Sequence, residues 1–149
     1  MSRPLAQPAT SSGERVRVVP ATEQRVETGH GFIKGWGVTP DTAGARDLIM
    51  CRGVLPPGTV TTPHYHPHSQ TAIYVLAGRA LVYVGDDLQE CHEVGAGDFL
   101  YIDRDVVHQP VNPSATEPHE FIQVRDTALN DTVEVPHLLA RGQRGTSAG

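Results

Sequence analysis

Lysine is nearly missing from this chain of 149 residues: Lys34 stands alone among 12 basic residues. Charged residues make up only 19% of the chain, and the formal net charge is −5 with no dense basic run. Nucleic-acid affinity rests on clustered Lys and Arg set against phosphates, so nucleic acid is excluded as the principal partner. No stretch approaches the ~18 to 20 consecutive apolar residues of a membrane span, and Met1 to Ser12 lacks the apolar core of a signal peptide. The expectation is a cytoplasmic protein without a membrane partner. Cysteine is scarce as well: Cys51 and Cys91 have no CxxC spacing and read as reduced, packed thiols. There is no Gly-rich phosphate loop and no GxSxG elbow. Glu90, Glu93, Asp98, Asp103 and Asp105 have no paired spacing for two-carboxylate chemistry and read as turn and surface residues.

Helical periodicity is also hardly present, whereas Gly (15) and Pro (12) are plentiful. Strand-like runs fall between turn signals at Val16 to Val19, Gly31 to Val38, Asp47 to Leu55, Thr59 to Tyr65, Ala72 to Leu76, Ala80 to Val84, Glu90 to Val94, Phe99 to Ile102, Val106 to Val111 and Phe121 to Val124. Turns are marked by Pro56-Pro57-Gly58, Ala77-Gly78, Gly85-Asp86-Asp87, Gly95-Ala96-Gly97 and Asn112-Pro113-Ser114. Short strands at this spacing predict an all-β sandwich or barrel of antiparallel strands, and the length suits one domain. The expected organisation is a flexible N-terminal segment over 1–13, a barrel over 14–126 and a tail over 127–149, with a short helix at Val135 to Arg141 and then disorder.

Against this background eight histidines stand out, with His64, His66 and His68 grouped together. On a strand, residues i and i+2 face the same way, so His64 and His66 present two imidazoles to one face, which is half of a metal site. Antiparallel pairing can bring a distant third, His108, beside them. His30, His92, His119 and His137 read as surface or hydrogen-bonded residues. Trp36 and the other aromatics read as packing, some of them lining a cavity.

Gly58-x5-His64-x-His66, followed by Ile73-Tyr74-Val75-Leu76-Ala77-Gly78, resembles the first motif of the cupin superfamily. Gly97-x5-Asp103-x-Asp105-x2-His108-x3-Asn112 is similar in spacing to the second. The resemblance covers roughly Leu48 to Arg125. It implies a small barrel of two antiparallel sheets, a jelly roll or double-stranded β-helix, with a divalent metal held by His64, His66 and His108. Two departures matter. Asp103 and Asp105 stand where cupins usually have Pro and Gly, and both are turn formers. The position of the metal-binding Glu falls on Thr71 when counted back from Gly78, and on Gln70 by the shorter spacing from His66. An amide oxygen is a better donor than a neutral hydroxyl, so Gln70 is expected to complete the shell, turned inward by a small bulge near Thr71.

The set His64, His66, His68, Gln70 and His108 looks like that of the small cupins of actinomycete aromatic polyketide pathways, where zinc is held by histidines and a glutamine. What this implies is a zinc-dependent polyketide cyclase closing rings of a poly-β-carbonyl chain, with His68 either a further ligand or, at the barrel mouth, the base. An iron or manganese dioxygenase on a diketone or aromatic compound is the alternative within the superfamily, and a non-catalytic small-molecule binder is the third reading. Cupins of this size are often dimers, and the exposed edges of an open sandwich give the physical reason to expect a homodimer.

Overall fold

A computed structural model describes residues 15–138 of the chain. The elements in order are β1 (Arg25–Gly29), β2 (Phe32–Val38), a one-turn helix α1 (Pro40–Ala43), β3 (Ile49–Leu55), β4 (His64–Tyr65), β5 (Thr71–Ala77), β6 (Arg79–Val84), β7 (Glu90–Gly95), β8 (Phe99–Ile102), β9 (His108–Val111), β10 (His119–Arg125) and β11 (Val133–Glu134), with 3-10 turns at Ala21–Glu23 and Pro136–Leu138. They form two sheets, ordered β1-β2-β3-β10-β5-β8 and β11-β4-β9-β6-β7. From β3 onward the chain passes back and forth between the sheets. The result is an all-β fold of two antiparallel sheets, the double-stranded β-helix that the family resemblance implies.

Alternation of burial along the strands fixes what faces the interior. In β10 the pattern is strict, with His119, Phe121, Gln123 and Arg125 inward. In β5 the inward set is Thr71, Ile73 and Val75. Between the sheets, Phe32, Leu55 and Phe121 pack together, and Val75, Ala80, Val82 and Val94 form a second cluster. Gly53 makes room for the ring of Phe121: a Cβ there would stand 2.2 Å from Phe121 Cζ.

Several expected boundaries move. Val16 and Val18 are 83% and 80% exposed and form no strand. The expected strand Thr59 to Tyr65 is broken into a bridge at Val60 and the two residues of β4. Pro63 has no N–H to give a ladder, and the Thr61 N–H is spent on Pro110 O. The short helix α1 is capped by Thr39, whose Oγ1 accepts from the Thr42 N–H, and ends at Gly44 in the left-handed region. The segment expected as a tail carries β11, and Leu138 packs on Tyr83, Leu88, Val107 and Val111. Of the expected helix Val135 to Arg141, the 3-10 turn Pro136–Leu138 is seen. Residues 139–141, the expected flexible segment 1–13 and the expected disorder beyond Arg141 lie outside the described residues.

Candidate metal centre

Two neighbouring strands of the five-stranded sheet set His64 directly opposite His108. His66 lies two residues beyond His64 and is turned to the same side, so all three rings are buried together. The turn Asp103-Arg104-Asp105 ties the two motifs to each other. Asp105 adopts φ 63° and its N–H donates to His66 O at 3.1 Å. Asp tolerates the left-handed region better than most residues, so the tight turn forms without Gly.

The ring centroids lie 4.3 Å apart for His64 and His108, 5.1 Å for His64 and His66, and 5.4 Å for His66 and His108. His64 Nδ1 donates to Thr62 O and His108 Nδ1 to Val106 O, each at 2.9 Å. That tautomer leaves the Nε2 lone pairs free to ligate. One nitrogen from each ring lies within 4.8 Å of the others, whereas ligands at about 2.0 to 2.1 Å from one ion stand at most about 4.2 Å apart. A small closure would bring them onto one ion. Burial holds all three neutral, the form that binds metal: it is the main cause lowering His64 well below its ordinary value, His66 to about 2 and His108 to about 4. The donor set therefore fits a divalent ion.

Gln70 is not brought to this cluster. It lies on the outward parity of β5, its Nε2 donates to Asp126 at 2.9 Å, and its Oε1 accepts from the Tyr101 hydroxyl at 2.8 Å. No bulge interrupts β5 at Thr71, which pairs in register with Ile102 and Arg125. Strand parity therefore favours Thr71. It is 2% exposed, and its Oγ1 makes no hydrogen bond among the described residues. His68 is not brought to the cluster either. It is exposed, lies outside the three-histidine group, and its backbone N–H donates to Asp131 at 2.8 Å. His119 is buried against the Phe121 ring and is not part of the group.

Residues not anticipated from sequence surround the cluster. Arg125 is 1% exposed and points its Nη1 at His66 Nε2, 3.4 Å away. Asp131 lies behind, 3.7 Å from His66 Nδ1 and 3.8 Å from Arg125 Nε, and accepts from Ser69 Oγ. Lys34 lines a cleft of about 360 Å³ that also touches His64, Glu27 and Thr132. A neighbouring cleft of about 400 Å³, lined by Val26, Trp36, Ile49 and Leu129 among others, shares Glu27 and Asn130 with the first. It is the larger, but of the three cluster histidines it is His64 that lines one of the two, the smaller. The one available signal for Arg125 was the alternation His119-x-Phe121-x-Gln123-x-Arg125, which continues inward one residue beyond the apolar run.

The fold and the paired motifs define a cupin, and the chain carries a cupin domain over residues 52–125, where the family description matches. Among named relatives it is 39% identical over 80 residues to Protein SchB of Streptomyces halstedii, covering 54% of this chain and 56% of that protein. It is 35% identical over 65 residues to Polyketide synthase CurC of Streptomyces cyaneus, covering 44% and 42%. The chain thus spans about half the length of the curated relatives it matches. In structure it is similar to the polyketide cyclase RemF from Streptomyces resistomycificus, with a TM-score of 0.68 and 21% identity over 80% of this chain and 85% of that one. It is equally similar to Lactobacillus farciminis oxalate decarboxylase, at 0.68 and 20% over 80% and 36%. At those identities the likeness is one of fold. Among the described residues no helix is long and apolar enough to cross a membrane.

Proposed function

We propose that the protein is a metal-dependent polyketide cyclase that closes a ring of a poly-β-carbonyl substrate by Lewis-acid aldol chemistry and loss of water. The observation that carries this reading is the convergence of three buried, neutral imidazoles beside a cleft. The likeness to polyketide proteins supports it. The residues that would hold the ion are His64, His66 and His108, with the Thr71 hydroxyl the next oxygen on the inward face. When bound, a divalent ion, zinc in preference to iron or manganese, supplies polarisation of a carbonyl oxygen. The chain's own residues do the rest. Glu27, which lines both clefts and accepts from Trp36 Nε1 at 3.2 Å, takes the α-proton in place of His68. The adjoining apolar cleft receives the remainder of a long, flat substrate. The working unit is a homodimer, the second copy meeting the first along β8, which ends the six-stranded sheet.

Metal analysis of the purified protein, followed by turnover of a poly-β-carbonyl substrate with and without oxygen, tests the reading. Undiminished anaerobic turnover, zinc restoring activity to the stripped protein, and a loss of about 10²-fold or more in Glu27→Gln are expected. Stoichiometric oxygen uptake with activity restored by ferrous iron alone would establish the dioxygenase reading instead.

A further inference from the structure

Around the three histidines the unexplained groups are cations. Arg125 is buried at the inward end of β10, yet its Nε makes no hydrogen bond among the described residues. Its Nη2 donates to Asn130 Oδ1 at 2.8 Å, and its nearest carboxylate, Asp131, is at 3.8 Å. Asp131 is itself occupied by the His68 N–H and the Ser69 hydroxyl. Lys34 enters none of the ion pairs among the described residues. Its Nζ lies 4.7 Å from the ring centre of Phe32 and 5.8 Å from that of Trp36, and the Arg125 guanidinium carbon is also 5.8 Å from the Trp36 ring. A buried cation, Arg125, and a half-buried one, Lys34, thus meet at one indole, beside the imidazoles. Burial pushes the Lys34 ammonium below its ordinary pKa, although Glu27, its cross-strand neighbour on β1, acts the other way.

The direction of Arg125 sharpens the problem. Its Nη1 reaches for His66 Nε2, the lone pair on that edge of the ring. A metal ion seeks the same lone pair, and two cations cannot share it. At 3.4 Å the guanidinium must turn aside when an ion is bound, and an anion that accepts from it while ligating the ion offsets the repulsion of the two cations.

We propose that Arg125 and Lys34 bind the substrate as a delocalised oxyanion, its charged oxygen accepting from the guanidinium at the edge of the three-histidine cluster. The metal half of this arrangement rests on the function proposed above; the cationic half does not. The chemistry recognised is that of a β-dicarbonyl enolate or a carboxylate, both planar and both able to accept from the guanidinium edge of Arg125, whose Nε has no hydrogen bond among the described residues. Thr71, paired with Arg125 across β5 and β10, offers its unpartnered hydroxyl to the same oxygen. A neutral Thr in place of a carboxylate keeps Arg125 from being neutralised and leaves it available.

Trp36, the single tryptophan, reports on the site. Wild type, Arg125→Met, Arg125→Lys and Lys34→Met, each metal-free and cobalt-loaded, are titrated with acetylacetone at alkaline pH and with acetate. The readouts are Trp36 fluorescence and cobalt absorption, and cobalt affinity is measured separately by chelator competition. The expected result is that Arg125→Met weakens anion binding about 10-fold or more, the usual worth of a charge-assisted hydrogen bond. Its cobalt affinity should be retained or increased, and Arg125→Lys should recover part of the loss. Preference for acetylacetone identifies an enolate site and preference for acetate a carboxylate site. Should Arg125→Met not fold, Lys34→Met carries the test, with several-fold weaker anion binding expected. Equal anion affinity in wild type and variants, or parallel loss of anion and cobalt affinity in folded Arg125→Met, would overturn the proposal. A wild type that takes up no cobalt refutes the metal reading alone, and the metal-free titrations still decide the clamp.

Discussion

His108 shows how burial prepares a ligand. Packed between two sheets with its Nδ1 given to Val106 O, it stays neutral down to a pH of about 4. His66 and His64 are likewise held neutral, chiefly by burial. In the unfolded chain each titrates near its ordinary value of about 6.5. Below that pH the unfolded state of the metal-free protein binds more protons than the folded state, so stability is full above about pH 6.5 and falls as the pH is lowered toward the folded values. Each histidine adds a slope of about 1.4 kcal/mol per pH unit in that window. Denaturant midpoints of the metal-free protein should drop between about pH 7.5 and about pH 5, and His108→Gln should flatten the slope. A midpoint indifferent to pH would show these rings to be solvated. At this scale the sequence made His64, His66 and His108 legible, because parity and motif spacing agree. Gln70 misled because ligand chemistry was weighed above strand parity: the amide is the better donor, but the undistorted pairing of β5 turns Thr71 inward. Arg125 was marked only by the alternation along β10, and Lys34 was illegible because nothing in a lone basic residue places it beside a site.

Strands are held in place by what their turns permit. Gly78 joins β5 to β6 with φ +72°, and a Cβ there would stand 2.1 Å from the carbonyl oxygen of Pro118. Backbone cannot swing aside as a side chain can. Gly78→Ala is therefore expected to cost about 2 kcal/mol or more, from left-handed strain and overlap together. Gly58, with φ +73° and nothing within 4 Å, pays only the strain, so Gly58→Ala should cost about 1 kcal/mol. Chemical denaturation of the two variants checks the difference, and equal losses would refute the steric argument. Turn chemistry of this kind is why β2, β3 and β5 to β10 could be read closely from the sequence. β1 and β11 were missed for a different reason: every residue of both is exposed. Their alternation carries no apolar signal, and tertiary pairing with β2 and β4 makes them strands. The broken strand before β4 reflects Pro63, which has no N–H to give a ladder.

Over the whole molecule, two sheets enclose the site and their rims decide what it meets. β8 ends the six-stranded sheet and offers one ladder of unpaired backbone groups. Its four residues, Phe99-Leu100-Tyr101-Ile102, contain no Lys and no Pro, the usual guards of an edge. Phe99 is 81% exposed and Tyr101 59%, and next to them on β5 Tyr74 and Leu76 are 38% and 43% exposed. Aromatic side chains on an unguarded edge strand are suited to a second copy related by a two-fold axis, β8 against β8 antiparallel, so that each exposed ring meets its own equivalent or its neighbour. Phe99 is exposed, lines neither cleft and takes no part in the proposed chemistry, so charge can be placed there without touching the site. Light scattering after gel filtration should give a dimer for the wild type and a monomer for Phe99→Lys. Cobalt affinity should be unchanged in that variant, because its three imidazoles come from one chain. A monomeric wild type, or a dimer indifferent to Phe99→Lys, would remove β8 as the interface.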